Sequence, residues 1–260
     1  MNLGQRRAIQ REFGEVSKAY TRRVDPRGER EARQIVAWVR PRRHDWALDA
    51  ACGSGRLARA IARRAALVCG LDLCPSMIKL AREAQAAASR PVLLAIGDLE
   101  RVPYPSGSFH LVTCSYAFAN LPDPVKALSE FARVTHGGGR IAIIDLVAPQ
   151  QIEQRTYLNR LERLRGRLPT RIRSLLEFKN LFRRADLRLE SCRLCRRRRR
   201  FRDWLRSSPA ATRHPERARH LRQMLLDSIA GDKAGLQPRR LPSDIEFWHT
   251  TAWFMLRTHS

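Results

Sequence analysis

The sequence predicts an α/β protein: a mainly parallel sheet with helices on both faces. Three observations predict it. Short continuous apolar runs recur along the chain, segments of helical periodicity separate them, and the first run ends in a glycine turn. The runs are Trp46 to Ala51, Leu67 to Leu73, Val92 to Ile96, Leu111 to Tyr116 and Ile141 to Val147, uninterrupted as strands buried on both faces should be. Leu187 to Phe201, with a charged end, and Phe247 to Arg257 read as two further strands, which makes the sheet seven-stranded.

Helices fit between the strands. Leu57, Ala60, Ile61 and Arg64 carry the period of the first. Pro75, at a first helical position, opens a second through Met77, Ile78, Ala81 and Ala84. Asp123 and Pro124 open a third, an acidic N-cap followed by proline, and Val125, Leu128, Phe131 and Val134 repeat until Gly137-Gly138-Gly139 ends it. Beyond residue 148, Gln150 to Ala185 reads as basic helices. The segment Asp203 to Gly235 has amphipathic stretches at Leu221, Met224, Leu225 and Ile229 that can cover a pocket. One domain, residues 1–260, accounts for the whole. Residues 1–40 are amino-terminal lid helices, 41–148 a ligand-binding core, 149–185 further lid helices, and 186–260 the last strands with a helical insertion at 203–235.

Composition bounds the function. With 43% hydrophobic residues and only 14 Gly and 14 Pro in 260 residues, the chain is neither collagen-like nor wholly disordered. The run Ile141 to Ala148 is broken by Asp145 and falls far short of the roughly 20 residues a membrane span needs. Met1 to Arg11 is charged with no apolar core behind it, so no signal peptide and a cytoplasmic location are expected. Six cysteines at irregular spacing read as reduced thiols. Cys192 and Cys195 lack a second ligand pair, so they read as two small residues on one strand and no metal site is expected. The 50 Lys and Arg against 25 Asp and Glu give a formal charge of +25, and only Lys18, Lys79, Lys126, Lys179 and Lys233 are lysines. Excess Arg has two readings: a solvated surface that follows a coding bias, or an attractor of nucleic acid, anionic lipid or an acidic carrier.

The sharpest chemical signal is Leu48-Asp49-Ala50-Ala51-Cys52-Gly53-Ser54-Gly55-Arg56, a strand running into a glycine turn and a helix. Gly53 and Gly55 let the backbone turn tightly against a ligand, and the helix start offers N–H donors to a carboxylate or phosphate. On glycines alone a looser dinucleotide pattern, G-S-G-R-L-A, also fits. Asp72 then ends the second strand 17 residues after Gly55, where an acid grips ribose hydroxyls.

The segments D-A-A-C-G-S-G from Asp49, G-L-D-L-C-P-S-M-I from Gly70 and G-D-L-E-R-V-P-Y from Gly97 resemble the class I S-adenosylmethionine-dependent methyltransferases, small-molecule branch. The chain is similar to the ubiquinone/menaquinone C-methyltransferase family: Phe109 to Asp123 continues the fourth-strand motif, and Gln10 to Tyr20 resembles the lead helix. The likeness runs from about residue 10 to 148. It implies a Rossmann-like fold under a helical lid and S-adenosyl-L-methionine as cofactor, with S-adenosyl-L-homocysteine as product. Residue by residue, it implies that Asp49, Cys52, Gly53, Ser54 and Gly55 hold the methionine end and that Asp72 binds the ribose. Leu73 and Met77 pack beside adenine, Asp98 accepts from the adenine amine with the Leu99 backbone assisting, Ser115 lines the methionine side, and Tyr20 joins the cofactor set.

The chain departs from the family it resembles, whose members often carry Asp where His110 stands and a His pair where Ala119 and Asn120 stand, so no His base stands there. Alignment of acceptor and sulfonium can supply much of the rate, and a base helps only where the acceptor must lose a proton. Tyr116 and Asn120 are the nearest polar candidates for catalysis; a core-edge aromatic and a helix-entry cap are the competing readings. His249 reads as a packed strand histidine, and Arg196 to Arg200 as a solvated strand end or a dock for an acidic carrier. The partner expected is a small-molecule substrate, anionic or carrier-bound, under a lid walled by Phe13, Tyr20, Leu158, Leu161 and Leu164; nucleic acid is not the expected substrate, and a homodimer is left open. Two alternatives remain. The charge favours a nucleic-acid methyltransferase, against which Cys114-Ser115-Tyr116-Ala117 lacks that class's Pro-Pro-aromatic pattern. The absent His pair allows a methyltransferase-like cyclase or binding protein that keeps the cofactor structurally.

Overall fold

The structure is a computed structural model; it describes residues 1–20, 26–86, 88, 90–166 and 168–258, without the side chains of residues 18–20 and 26. Two helices, α1 (Leu3–Tyr20) and α2 (Pro26–Val39), precede the sheet. β1 (Trp46–Ala50), α3 (Arg56–Ala62), β2 (Leu67–Asp72), α4 (Pro75–Ala84) and β3 (Leu93–Ile96) form one half, and β4 (Phe109–Ser115), α5 (Pro124–Val134) and β5 (Thr135–Val147) continue it on the other side of β1. After α6 (Ile152–Arg165) and α7 (Leu175–Arg184) come β6 (Leu187–Arg200), the short helices α8 (Phe201–Arg206) and α9 (Pro209–Thr212), α10 (Pro215–Asp227), the two-residue β7 (Arg239–Arg240) and β8 (Ile245–Thr258).

The strands run in the order β3-β2-β1-β4-β5-β8-β6, with β7 added on β8, so the seven expected strands gain a short eighth. β1 to β5 pair in parallel; β8 lies antiparallel between β5 and β6. Because the chain leaves β1 for β2 on one side and returns to β4 on the other, a crevice opens at the carboxyl ends of β1 and β4, where open α/β sheets bind ligands.

Ile141, Ala142, Ile143 and Ile144 are wholly buried because β5 is covered on both faces. On one face Leu48, Leu71, Val112, Ile143 and Phe254 meet Leu128 and Phe131 of α5 and Phe178 and Phe182 of α7. On the other, Ala47, Val68, Leu111, Ala142 and Trp253 meet Ile35, Val36 and Val39 of α2 and Leu57 and Ile61 of α3. A third cluster joins Leu158 and Leu161 of α6, Phe201 and Trp204 of α8, Leu221 and Leu225 of α10 and Phe247 of β8.

Capping fixes the helix starts. Asp123 accepts from Lys126 N at 3.0 Å ahead of Pro124, and Ser174 and Glu177 form a reciprocal capping box at α7. The expected end of α5 moves: the helix stops at Val134, not at the glycine triplet, because Thr135 is already extended and its hydroxyl donates to Phe131 O at 2.6 Å. Gly138, at φ 74°, sits in the irregular entry of β5, after which pairing with β4 resumes at Arg140.

The segment 149–185, expected to form lid, takes other places. α7 buries Phe178, Leu181 and Phe182 in the main core, and Leu158, Leu161 and the half-buried Leu164 of α6 pack in the third cluster rather than over a ligand. The insertion 203–235 likewise backs α6 and β8. Its apolar residues found a neighbour their own size there, which removes the drive to cover the crevice.

Candidate cofactor and acceptor site

At the carboxyl edge lies a cavity of about 270 Å³, near the lower end of the ~300–1,000 Å³ of small-molecule clefts. Its floor is the loop after β1. There Gly53 adopts φ 53° and a Cβ added to it would meet nothing within 4 Å, so its bare backbone faces open space. Gly55, at φ 73°, is turned away from the cavity; a Cβ on it would come within 3.1 Å of Ala81 Cβ, so its smallness lets α4 approach the turn.

Asp72 ties this turn to the next element. Its Oδ2 accepts from Gly53 N at 2.8 Å and its Oδ1 from Cys74 N at 2.9 Å, at the start of α4. Burial pushes its carboxyl up, opposed by the Cys74 and Gly53 N–H groups. Asp49 stands one layer below, outside the cavity lining: Thr113 Oγ1 donates to its Oδ1 at 2.9 Å while Oδ2 is buried without a partner. Burial raises this carboxyl to about 7.

Cys52, Ser54, Leu73 and Met77 line the cavity beside the turn, and Asp98, Leu99 and Ser115 line it further along. The Cys52 thiol is pushed up by burial and by Asp49 and Asp72, so it is a packed thiol and not a nucleophile. Asp98 accepts from Glu100 N at 2.9 Å and forms an ion pair with Arg6 Nη2 of α1 at 2.8 Å. Gln10 of α1 also donates to Leu73 O at 3.1 Å, so α1 is latched over the ends of β2 and β3. Tyr20 closes α1, but its side chain lies outside the described residues.

The remaining wall is apolar: Ile9, Phe13 and Val16 from α1, Ala32 and Ile35 from α2, and Leu121. Tyr116 and Asn120 stand in it, as does Glu31 of α2. Asn120 Oδ1 accepts from Thr170 Oγ1 at 3.0 Å, which makes it a brace to the loop before α7. Tyr116 donates to Glu31 Oε1, and burial followed by the Glu31 charge holds its phenol well above the ordinary value. Sequence reasoning missed Glu31, Arg6 and Arg56. For Glu31 a signal was present: Ile35 follows it by one helical turn, so a carboxylate shares the apolar face of α2.

His249 lies away from this cavity, among Trp204, Phe247 and Glu162, its Nε2 3.4 Å from Glu162 Oε1. Burial lowers it to about 4, so it is neutral near pH 7. Cys192 and Cys195 both lie on β6, and the six cysteines are free.

A glycine turn between β1 and α3, with acids at the ends of β2 and β3, defines the ligand-binding α/β class whose site lies at the topological switch point. Residues 48–143 match the methyltransferase domain family. That match runs from β1 to the middle of β5, and the curated proteins that resemble this stretch include quinone C-methyltransferases. The chain is 38% identical over 104 residues to a demethylmenaquinone methyltransferase of Deinococcus radiodurans, covering 39% of this chain and 43% of the relative. A Thermus thermophilus demethylmenaquinone methyltransferase is 33% identical over 144 residues, 53% of this chain and 64% of the relative. The chain therefore spans about half the length of the curated relatives it matches. Among solved structures, a putative methyltransferase from Bacillus halodurans superposes with a TM-score of 0.80 at 23% identity, over 89% of this chain and 99% of that one, a likeness of fold.

Proposed function

We propose that the chain binds S-adenosyl-L-methionine at the carboxyl edge of its sheet and transfers the methyl group to a small or carrier-linked acceptor held against α1 and α2. The observation that carries this reading is the single cavity shared by the glycine turn, Asp72, Asp98 and the apolar wall of the two amino-terminal helices. Its residues fit the cofactor. The bare Gly53 backbone opens onto the cavity, and the Asp72 oxygens each keep a lone pair for ribose hydroxyls beyond the one N–H they accept. Leu73, Met77 and Leu99 offer flat apolar surface to a base.

When bound, the cofactor supplies a methyl carbon already activated by a cationic sulfonium. The protein's part is to orient and to exclude water. The Gly53–Asp72–Cys74 hydrogen bonds fix the floor before any ligand arrives, and the latched α1 closes the roof. Among the described residues no helix is long and apolar enough to cross a membrane. The relatives' names make demethylmenaquinone the first acceptor to offer, in its reduced form because a quinol is the electron-rich nucleophile.

Calorimetry with S-adenosylmethionine and S-adenosylhomocysteine tests the binding, which is expected for both; no detectable binding of either by folded protein would sink the proposal. Incubation with methyl-labelled cofactor and, separately, total RNA, DNA, small-molecule extract and the reduced quinone tests the acceptor. Label is expected in small molecules, and label chiefly in polymer would assign a nucleic-acid substrate.

A further inference from the structure

Resting on that methyl-transfer reading, a second conclusion comes from three residues that the fold brings together from distant parts of the chain. The Tyr116 hydroxyl, just after β4, donates to Glu31 Oε1 of α2. Arg197 of β6 grips the same carboxylate with both ends of its guanidinium, Nη1 to Oε2 at 2.8 Å and Nη2 to Oε1 at 2.6 Å. Tyr116 and Glu31 line the cavity, and Arg197 stands behind them. The carboxylate side chain is only 13% exposed and the guanidinium 21%. A planar, bidentate grip of this kind fixes the direction of both carboxylate oxygens.

Tyr116 holds φ 56°, the left-handed region that costs a bulky L residue roughly 1–3 kcal/mol. Its N–H is pinned to Ile144 O at 2.8 Å, so the strain is imposed by the sheet. Strain of this sort persists where surroundings over-determine it, and here it stands at the end of β4 beside the cavity. Among the polar cavity residues, Asp72 and Asp98 belong to the floor and to the α1 latch, and the Asn120 oxygen is taken by Thr170. The Tyr116–Glu31 pair, with Arg56 also in the lining, is set beside the apolar wall of Ile9, Phe13, Val16, Ala32, Ile35 and Leu121.

We propose that Tyr116 holds the acceptor's nucleophilic atom and that Glu31 takes that atom's proton through the Tyr116 hydroxyl, with Arg197 as the positioning residue. As the proton leaves the acceptor for the Tyr116 oxygen, the phenolic proton passes to Glu31. The electron pair left on the acceptor forms the new bond to the methyl carbon, and the pair of the broken carbon–sulfur bond stays on sulfur. The sulfonium and the carboxylate thereby become a neutral thioether and a neutral carboxylic acid, and the Arg197 guanidinium keeps the one positive charge that the three groups held before the step. The acceptor class follows: a molecule whose nucleophilic group is uncharged and carries a proton, such as a phenol, quinol or N–H amine, and not a thioether or tertiary amine.

The groups around the pair are Arg197 from β6, the Thr251 hydroxyl from β8 against Tyr116, Arg56 at the start of α3 beside Glu29 of α2, and Asp72 and Asp98 in the shared cavity. His249 and Arg199 follow along β8 and β6, two residues from Thr251 and Arg197, and His249 is neutral above about pH 4.

The test compares wild type, Glu31→Gln, Tyr116→Phe and Arg197→Lys for label transfer to small-molecule extract, beside calorimetry with S-adenosylmethionine. Glu31→Gln and Tyr116→Phe are expected to lose on the order of 100-fold in turnover, the scale of general-base assistance, with cofactor affinity kept. Arg197→Lys keeps the charge and loses the two-pronged grip, so it should lower turnover with cofactor affinity kept and should move the Tyr116 titration. A readout without turnover is the ultraviolet titration of tyrosinate. Tyr116→Phe identifies the Tyr116 step, and Glu31→Gln should shift it to lower pH, because Arg197 then faces the phenol alone. Wild-type turnover in Glu31→Gln, an unmoved Tyr116 titration, or label recovered as sulfonium or quaternary ammonium products would overturn the proposal. Should Glu31→Gln not fold, full activity in Tyr116→Phe would overturn it equally. Wild-type protein that binds cofactor but labels nothing would instead remove the transfer reading, and the proton path with it.

Discussion

Both oxygens of the Asp72 carboxylate accept backbone N–H groups, Gly53 at 2.8 Å and Cys74 at 2.9 Å, so this one side chain closes the glycine turn and starts α4. The resemblance implied a ribose contact for it; the turn-closing role was not legible, because Gly53 and Asp72 stand 19 residues apart. The two roles make different predictions for two variants. Asp72→Ala should weaken S-adenosylmethionine binding by about 1 to 3 kcal/mol, the scale of leaving polar partners without a charged acceptor. Asp72→Asn keeps one acceptor oxygen and should lose less. Calorimetry on both checks this, and unchanged affinity in Asp72→Ala would place the ribose elsewhere. Glu31 and Arg197 were hidden for the same reason, an ion pair across 166 positions, although Arg197 belongs to the arginine run that drew attention. Along β6 the side chains alternate, so Arg196, Arg198 and Arg200 are exposed while Arg197 and Arg199 are half-buried. A run that reads as a uniform solvated strand end is two rows with different work.

At the scale of elements, the strands were legible because buried parallel strands must be apolar without interruption, and β1, β2 and β4 start or stop within two residues of the runs that announce them. The helices after β5 were less so. α7, L-L-E-F-K-N-L-F-R-R, carries three basic residues in ten and was expected in the lid, yet Phe178 and Phe182 are wholly buried against Phe254 with ring centroids 5.0 Å away. Long basic side chains at its end point outward while the aromatic stripe faces the sheet. Periodicity was present in the sequence; which surface it met was not. Phe178→Ala should therefore cost about 3 to 5 kcal/mol in unfolding free energy, as for a large core aromatic truncated to Ala. Denaturant unfolding of wild type and variant measures it. A loss under about 1 kcal/mol would return α7 to the periphery.

For the whole molecule, the formal charge of +25 creates a positive field around a cavity whose own charges include Glu31, Asp72 and Asp98. The two opposing contributions differ in range. The carboxylates act within a few ångströms of a ligand and inside a partly closed cavity, where salt screens them little. The field of the surface arginines acts over the Debye length, roughly 30 Å at 0.01 M salt and under 10 Å above 0.1 M. S-Adenosylmethionine carries one net positive charge and S-adenosylhomocysteine none, so the surface field opposes the first and is indifferent to the second. Raising salt from 0.01 to 0.5 M should accordingly tighten S-adenosylmethionine relative to S-adenosylhomocysteine, by a few-fold for a potential of order kT at the site. An anionic acceptor should respond in the opposite sense, its encounter slowing as salt rises. Paired calorimetric titrations of the two cofactor forms at each salt concentration read the ratio directly. A ratio that moves toward S-adenosylhomocysteine as salt rises would mean that the cavity carboxylates, and not the arginine surface, dominate the potential that a bound cation feels.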